Sequence, residues 1–350
     1  MKRRTALTEL IPSRHPLLQA PMAGAQGSAL ALAVCAAGGT GSLPAAMLSP
    51  EALQAELQVL REQASGPWNV NFFCHTPPVP DAAAEARWRE ALRPLYEEAG
   101  LDPASAPAGA GRVPFSDAVA DLVEPFRPPV VSFHFGLPAP DLLARVKSWG
   151  SVVLSSATTV EEALWLEAHG VDAVIAQGLE AGGHRGMFLT DQLGTQMGTL
   201  ALLPQIVAAV KVPVVAAGGI ADAAGVRAAM ALGAAGVQVG TAYLCCPEAT
   251  TGALHRAALM SDAARHTELT TLFSGRPARG IVNRLMQELG PLNPAAPAFP
   301  LATAAVAPLR AHFESLGRTD CTPLWSGQNT SGCKAVPAAD ITAALAAGFD

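Results

Sequence analysis

Short apolar runs alternate along the chain with longer stretches whose apolar positions recur at helical spacing. Eight of the short runs read as strands, at 17–20, 40–43, 68–73, 130–135, 151–155, 173–177, 212–216 and 236–239. Each is rich in Val, Ile, Leu or Phe, the pattern of strands buried on both faces. Between them, 28–37, 50–65, 140–148, 160–169, 200–210 and 223–232 read as helices. Gly38, Gly170 and Gly233 stand where C-terminal caps belong. Thr159 ahead of Glu161 and Glu162, and Asp222 ahead of its helix, stand where N-terminal caps belong. Eight strand–helix units in series predict an α/β chain folded as a parallel (β/α)8 TIM barrel. A doubly wound open sheet is the alternative. It usually opens with GxGxxG after the first strand, and Pro21-Met22-Ala23-Gly24 is not that turn.

The rhythm breaks twice. Residues 75–126 are too many for one connection, are rich in Pro and Ala, and carry an amphipathic helix around 81–99. After residue 246 the strand signal stops, and helical and Pro-rich segments follow, with a Pro/Ala-rich connector at 293–307. The expected organisation is a barrel from 1–74 and 127–246, with 75–126 and 247–350 forming a smaller, mostly helical region over its mouth.

Composition narrows the class. Half of the 350 residues are hydrophobic, so a large core is available, but only 5% are aromatic, so Ala, Val and Leu must fill most of it. The net charge is −6, and the basic residues form no concentrated patch beyond Lys2-Arg3-Arg4, which argues against a nucleic-acid partner. No apolar stretch of signal-peptide length follows those three, and the run 29–37 is too short to span a bilayer. A cytoplasmic protein without a membrane partner is expected, as a monomer or homodimer. The six cysteines show no CxxC pair and no zinc spacing, so reduced, mostly buried thiols and no metal site are expected.

Ligands of such barrels bind at the C-terminal ends of the strands. Gly218-Gly219 precede a helix, and Gly240-Thr241 follow the next strand. Glycines let backbone N–H groups approach an anion, and the helix N-terminus adds partial positive charge, so the pair reads as a phosphate grip. The stretch Glu180-Ala-Gly-Gly-His-Arg-Gly186 puts three glycines, an acid, His184 and Arg185 into seven residues at a strand end. It reads either as a solvated flexible loop or as a loop lying against a planar cofactor and an anionic substrate. His134 is a lone histidine in an apolar strand. By default it is a hydrogen-bonded core residue. Near the mouth, a neutral imidazole can instead act as a general base.

These residues carry a family resemblance. Gln-Ala-Pro-Met-Ala-Gly (19–24), Asn-Val-Asn-Phe-Phe (69–73), Ser-Phe-His-Phe-Gly-Leu-Pro (132–138), the whole 177–186 stretch, Ala-Ala-Gly-Gly-Ile (216–220) and Gln-Val-Gly-Thr (238–241) resemble, in order, the class I nitronate monooxygenases. Leu-Trp-Ser-Gly-Gln (324–328) looks familial too. The resemblance implies FMN held by Met22, Asn71, Gln177, Gly182, Gly219, Gln238, Val239, Gly240 and Thr241, with Gly219 and the last group on the phosphate. It implies His134 as the catalytic histidine, with His184, Arg185 and Trp325 as substrate-pocket candidates. The implied reaction oxidises alkyl nitronates such as propionate 3-nitronate, with nitroalkanes as further candidate substrates, using O2 and yielding carbonyl compounds and nitrogen oxyanions, without NAD(P)H. Tyrosines are expected in such pockets, and this chain has only Tyr96 and Tyr243. The competing readings are an FMN-dependent NAD(P)H reductase of the quinone or enoyl-acyl-carrier-protein type, a non-catalytic FMN-binding barrel, and a phosphosugar-binding barrel enzyme.

Overall fold

The computed structural model describes residues 5–105 and 112–349, so Lys2, Arg3 and Arg4 lie outside the described residues. Its strands in chain order are β1 (Leu17–Gln19), β2 (Gly41–Pro44), β3 (Trp68–Phe73), β4 (Val130–His134), β5 (Val152–Ala157), β6 (Ala173–Gln177), β7 (Gly183–His184), β8 (Val214–Ala217), β9 (Gly236–Val239), β10 (Thr267–Thr270) and β11 (Ala278–Ile281). Eight of them form one parallel sheet in the order β1-β9-β8-β6-β5-β4-β3-β2. Two bonds through Thr40 join its ends: Thr40 N–H donates to the Leu17 carbonyl at 2.8 Å, and Gln19 N–H to the Thr40 carbonyl at 2.9 Å. The sheet therefore closes into the expected TIM barrel. The bounds of β3, β6 and β9 are those read from the apolar runs, and the other five barrel strands differ by at most two residues at an end.

The expected caps form. Asp222 accepts from Gly225 N–H at 2.8 Å, and Thr159 from Glu162 N–H at 3.2 Å. Helix Ala6–Leu10 closes the bottom of the barrel, where Leu7 and Ile11 pack with Leu18, Leu154, Ile175 and Val215. Higher inside, the filling turns polar. The Asn69 amide donates to the Ser42 hydroxyl at 3.0 Å and to that of Ser132 at 2.9 Å. Asn71 donates to Ser132 as well, at 2.9 Å. These bonds pair the buried amide N–H groups and link β2, β3 and β4 beneath the mouth, while Asn69 Oδ1 has no partner among the described residues.

Two segments sit elsewhere than the expected covering region. Helix Asp117–Val123 packs between Pro50–Gln63 and Pro140–Ser148, with Ala120 and Val123 in the same apolar cluster as Leu57 and Val146. It is thus the outer helix that follows β3. Helix Ala338–Ala346 packs between Ala223–Ala231 and Ser28–Ala36, the place of the barrel's eighth helix. Its Ile341 and Leu345 are buried with Leu30 and Val226. The chain leaves the barrel after β9 and returns to complete it at its end.

Helices Ala82–Ala99 and Ala302–Ser315 pack on each other through Trp88, Leu92, Tyr96, Leu309 and Phe313. Trp88 Nε1–H donates to the Ala302 carbonyl at 3.1 Å, and the Tyr96 hydroxyl to that of Ala305 at 2.6 Å. The reading that strands end at 246 is corrected: β10, β11 and β7 form a three-stranded antiparallel sheet. Thr-Glu-Leu-Thr and Ala-Arg-Gly-Ile lack an apolar run, so no sequence pattern marks them. They are strands because they pair. No described helix is long and apolar enough to cross a membrane.

Candidate active site

A cavity of about 440 Å³ opens at the C-terminal ends of the barrel strands. Two kinds of wall meet in it.

One wall is backbone. Gly218 and Gly219 follow β8 with φ of 119° and 72°, a region costly for any residue with a Cβ. The turn they make exposes main chain to the cavity just ahead of the helix capped by Asp222. Gly240 and Thr241 follow β9 beside them. Gln238 also lines the cavity, and its Oε1 is buried without a hydrogen-bond partner among the described residues. An unpaired buried amide oxygen is costly and marks a place for a ligand donor. The tail straps this wall. Gly327 N–H donates to Thr241 Oγ1 at 3.0 Å, Gln328 N–H to the Glu180 carbonyl at 3.0 Å, and the Asn329 amide to the Gly219 carbonyl at 2.9 Å. Gly182 lies directly under that strap, where a Cβ would stand 2.5 Å from the Gly327 nitrogen.

The other wall is imidazole and aromatic. His134, at the end of β4, has Nδ1 3.1 Å from the Ser156 hydroxyl and Nε2 3.2 Å from the His184 carbonyl. A carbonyl only accepts, so Nε2 carries the proton and Nδ1 accepts from Ser156. Burial pushes the His134 pKa down to about 4, opposed by the His184 carbonyl, with Arg276 and Arg185 pushing the same way as burial. The ring is neutral at neutral pH. His184 is held well below its ordinary value by burial and then by Arg112, His134 and Arg276. Its Nε2 lies 2.8 Å from the Ser274 hydroxyl. His75 is also lowered, to about 4, mainly by burial. Phe135 has φ of 70°, unusual for a bulky residue. That backbone sets its ring 4.5 Å from His134 and 4.0 Å under the Arg276 guanidinium.

Of the residues expected from the sequence, Met22, Asn71, His134, Gln177, Gly182, His184, Gly219, Gln238, Val239, Gly240, Thr241 and Trp325 all line this cavity. Gln177 spends its amide on the loop, donating to the His184 carbonyl at 2.9 Å and accepting from Gly186 N–H at 2.7 Å. Arg185 is not brought in. It is fully buried, and its guanidinium donates to the Gln177 and Gly178 carbonyls, both at 2.7 Å, and to Gln196 Oε1 at 3.0 Å. A buried cation must be satisfied, and these acceptors turn it into a tether for the 178–185 loop. Neither tyrosine lines the cavity: Tyr96 is buried between the covering helices, and Tyr243 bonds Thr342 at 2.9 Å. Sequence reasoning missed Ser156, Arg112 and Asn329, which line the cavity, and Arg276 and Phe299, which pack behind it on the Phe135 and His184 rings. Ser156 sits one strand from His134 in an apolar run. The others come from the insertions and the tail, where no spacing points back to the barrel mouth.

A closed parallel barrel whose strand-end cavity joins a glycine-built backbone cradle to a neutral histidine is the layout of a barrel enzyme. Comparison with known proteins gives its kind. Residues 4–348 match the family described as nitronate monooxygenase. The chain is 40% identical to the nitronate monooxygenase of Paraburkholderia phytofirmans over 98% of this chain and 94% of that protein, and 40% identical to that of Pseudomonas aeruginosa over 97% of each. A solved nitroalkane oxidase from Streptomyces ansochromogenes superposes with a TM-score of 0.88 at 38% identity, covering 99% of this chain and 98% of that one. FabK from Thermotoga maritima gives 0.73 at 27% identity, covering 99% and 96%. The chain belongs to the nitronate monooxygenase family. It is an oxidoreductase that oxidises nitronates, in a family that is flavin-dependent in general.

Proposed function

We propose that the cavity holds FMN with its phosphate on the 218–220 and 240–241 backbone, and that the imidazole wall handles the substrate. The residues fit the group. The glycine turns present main chain with no Cβ in the way, and Gln238 Oε1 awaits a donor. When bound, FMN supplies the electron acceptor, and dioxygen is the co-substrate of a reaction that yields a carbonyl compound and nitrogen oxyanions. Met22, Asn71 and Gly182 line the same space and would contact the cofactor there. Helix Ala302–Ser315 brings Arg310 and Glu314 to the cavity wall.

The observation that carries this reading is the neutral His134 on the cavity wall. Its Nδ1 holds a lone pair shared only with the rotatable Ser156 hydroxyl. That atom takes the proton from the carbon beside a nitro group when the substrate arrives as a nitroalkane. The Nε2–H bond to His184 fixes the tautomer and the ring plane. A preformed nitronate needs no base and asks only to be oriented. The test is an anaerobic flavin spectrum of the purified protein, with NADH in one cuvette and propionate 3-nitronate in another. The nitronate alone changes the spectrum on this reading. Rapid bleaching by NADH, with none by the nitronate, makes the protein a reductase instead.

A further inference from the structure

Arg112 lines the cavity, and it also lines an adjoining, mostly apolar chamber of about 630 Å³. Its Nη1 is buried and has no hydrogen-bond partner among the described residues. The other arginines nearby are engaged. Arg276 donates to the Met187 carbonyl and stacks on Phe135, and Arg310 pairs with Glu314 at 2.8 Å. Arg279 donates to the Leu179 carbonyl at 2.9 Å. The acids of the cavity are engaged too. Glu180 accepts from Thr199 N–H and Oγ1–H at 2.8 and 2.9 Å, and Glu314 holds Arg310 and Thr322. Among the described residues, Arg112 is a cavity-lining cation left without a counter-ion. Burying a guanidinium N–H unpaired is costly, so a partner is to be sought in what enters the cavity.

Its place says which ligand that is. The guanidinium lies 5.5 Å from the Phe299 ring, and that ring lies 5.3 Å from the His184 ring. Arg112 thus belongs to the imidazole wall, where the substrate reacts. The phosphate cradle stands on the other wall and is built from backbone. A second negative charge on the substrate, beyond the nitronate itself, meets Arg112 in a low-dielectric space where a charge-assisted bond is strong.

We propose that Arg112 is a specificity-determining residue: its free Nη1 receives a carboxylate carried by the nitronate at the end remote from the reacting carbon. The proposal rests on the placement of the substrate at His134. It makes the protein prefer carboxylate-bearing nitronates to plain alkyl ones.

The test uses holoenzyme with Arg112 intact, Arg112→Gln and Arg112→Lys. It measures kcat and KM on propionate 3-nitronate and on propyl-1-nitronate, with succinate as an unreactive competitor. Arg112→Gln is expected to lower kcat/KM on propionate 3-nitronate by roughly 10- to 100-fold, chiefly through KM. Propyl-1-nitronate should lose at most about threefold, and succinate inhibition should weaken in parallel with the first substrate. Arg112→Lys keeps the charge but not the fork and should recover part of the loss. Equal losses on the two nitronates in both variants overturn the assignment and leave nitronate oxidation standing. If hexyl-1-nitronate outperforms propionate 3-nitronate on the intact protein and Arg112→Gln leaves that order in place, the apolar chamber, not Arg112, sets specificity. An intact protein that oxidises none of these nitronates sinks the functional reading itself.

Discussion

His134→Asn separates the two tasks assigned to the imidazole wall. The ring sits between the Ser156 hydroxyl and the His184 carbonyl, at 3.1 and 3.2 Å, and its pKa of about 4 leaves it neutral through the working range. An asparagine amide can donate to the His184 carbonyl and so keep the 183–186 loop in place, but it offers no basic nitrogen. For a neutral nitroalkane the variant loses general base catalysis, worth roughly 10²–10⁴-fold, or about 2.7–5.4 kcal/mol of barrier. A preformed nitronate needs no proton transfer. Its loss is one hydrogen bond and some ring packing, about 0.5–1.5 kcal/mol or roughly 2- to 12-fold. The assay is steady-state oxygen consumption with nitropropane and, separately, with its preformed nitronate, on protein of equal flavin content. With the base in place, activity on the nitroalkane should stay level from neutrality down to about pH 5.5 and fall as Nδ1 is protonated near pH 4, since a protonated imidazole accepts nothing. Equal losses on both substrates would refute the base assignment, and so would a variant whose nitroalkane activity matches that of the unchanged protein.

Three further outcomes follow from the same structure. Gly219→Asp puts a Cβ at φ of 72° and a carboxylate beside the phosphate cradle, so FMN affinity should drop by on the order of a hundredfold; unchanged flavin occupancy on purification would move the phosphate elsewhere. Gly182→Ala drives a Cβ to within 2.5 Å of the Gly327 nitrogen, so the 326–329 strap should lift and its amides exchange faster, while the barrel-floor amides at 173–175 stay protected; unaltered exchange at 327–329 would contradict the close approach. The third outcome concerns acid. His75 and His134 titrate near 4 in the folded chain against 6.5 in the unfolded one, and His184 well below 6.5. Folded-state values that are lowered give stability present in full above pH 6.5 and lost as the pH falls toward 4. The slope approaches about 1.4 kcal/mol per pH unit for each histidine, and His75→Gln should remove one histidine's share. Denaturation midpoints of flavin-free protein that stay flat between pH 7 and 5 would show that these rings are not buried neutral.

The sequence by itself determined the barrel. Each strand is buried on both faces, so it must be a continuous apolar run, and runs such as 68–73 and 173–177 announce themselves without reference to any partner. The turn at 218–219 was legible for a similar reason: its positive φ angles demand glycine, and its place at a strand end follows from the fold. His134 was legible as a lone polar residue at the end of an apolar strand. Its tautomer was not, because the bonds that fix it come from Ser156 and from a loop 50 residues on. Arg185 shows the converse. The motif that holds it is local, yet the direction of its guanidinium depends on carbonyls that only the folded chain brings together.

Tertiary structure alone decided the rest of the site. β7 is two residues long, and it exists because β11, about 95 residues later, offers it a partner. Arg112 and Phe299 come from stretches with no strand signal, yet the Phe299 ring stands 5.5 Å from the Arg112 guanidinium and 5.3 Å from the His184 ring. The physical reason is common to all of them. A periodic pattern records what each residue must bury against its own element. A cavity wall is made by residues from distant segments whose only shared property is where the packed elements leave them.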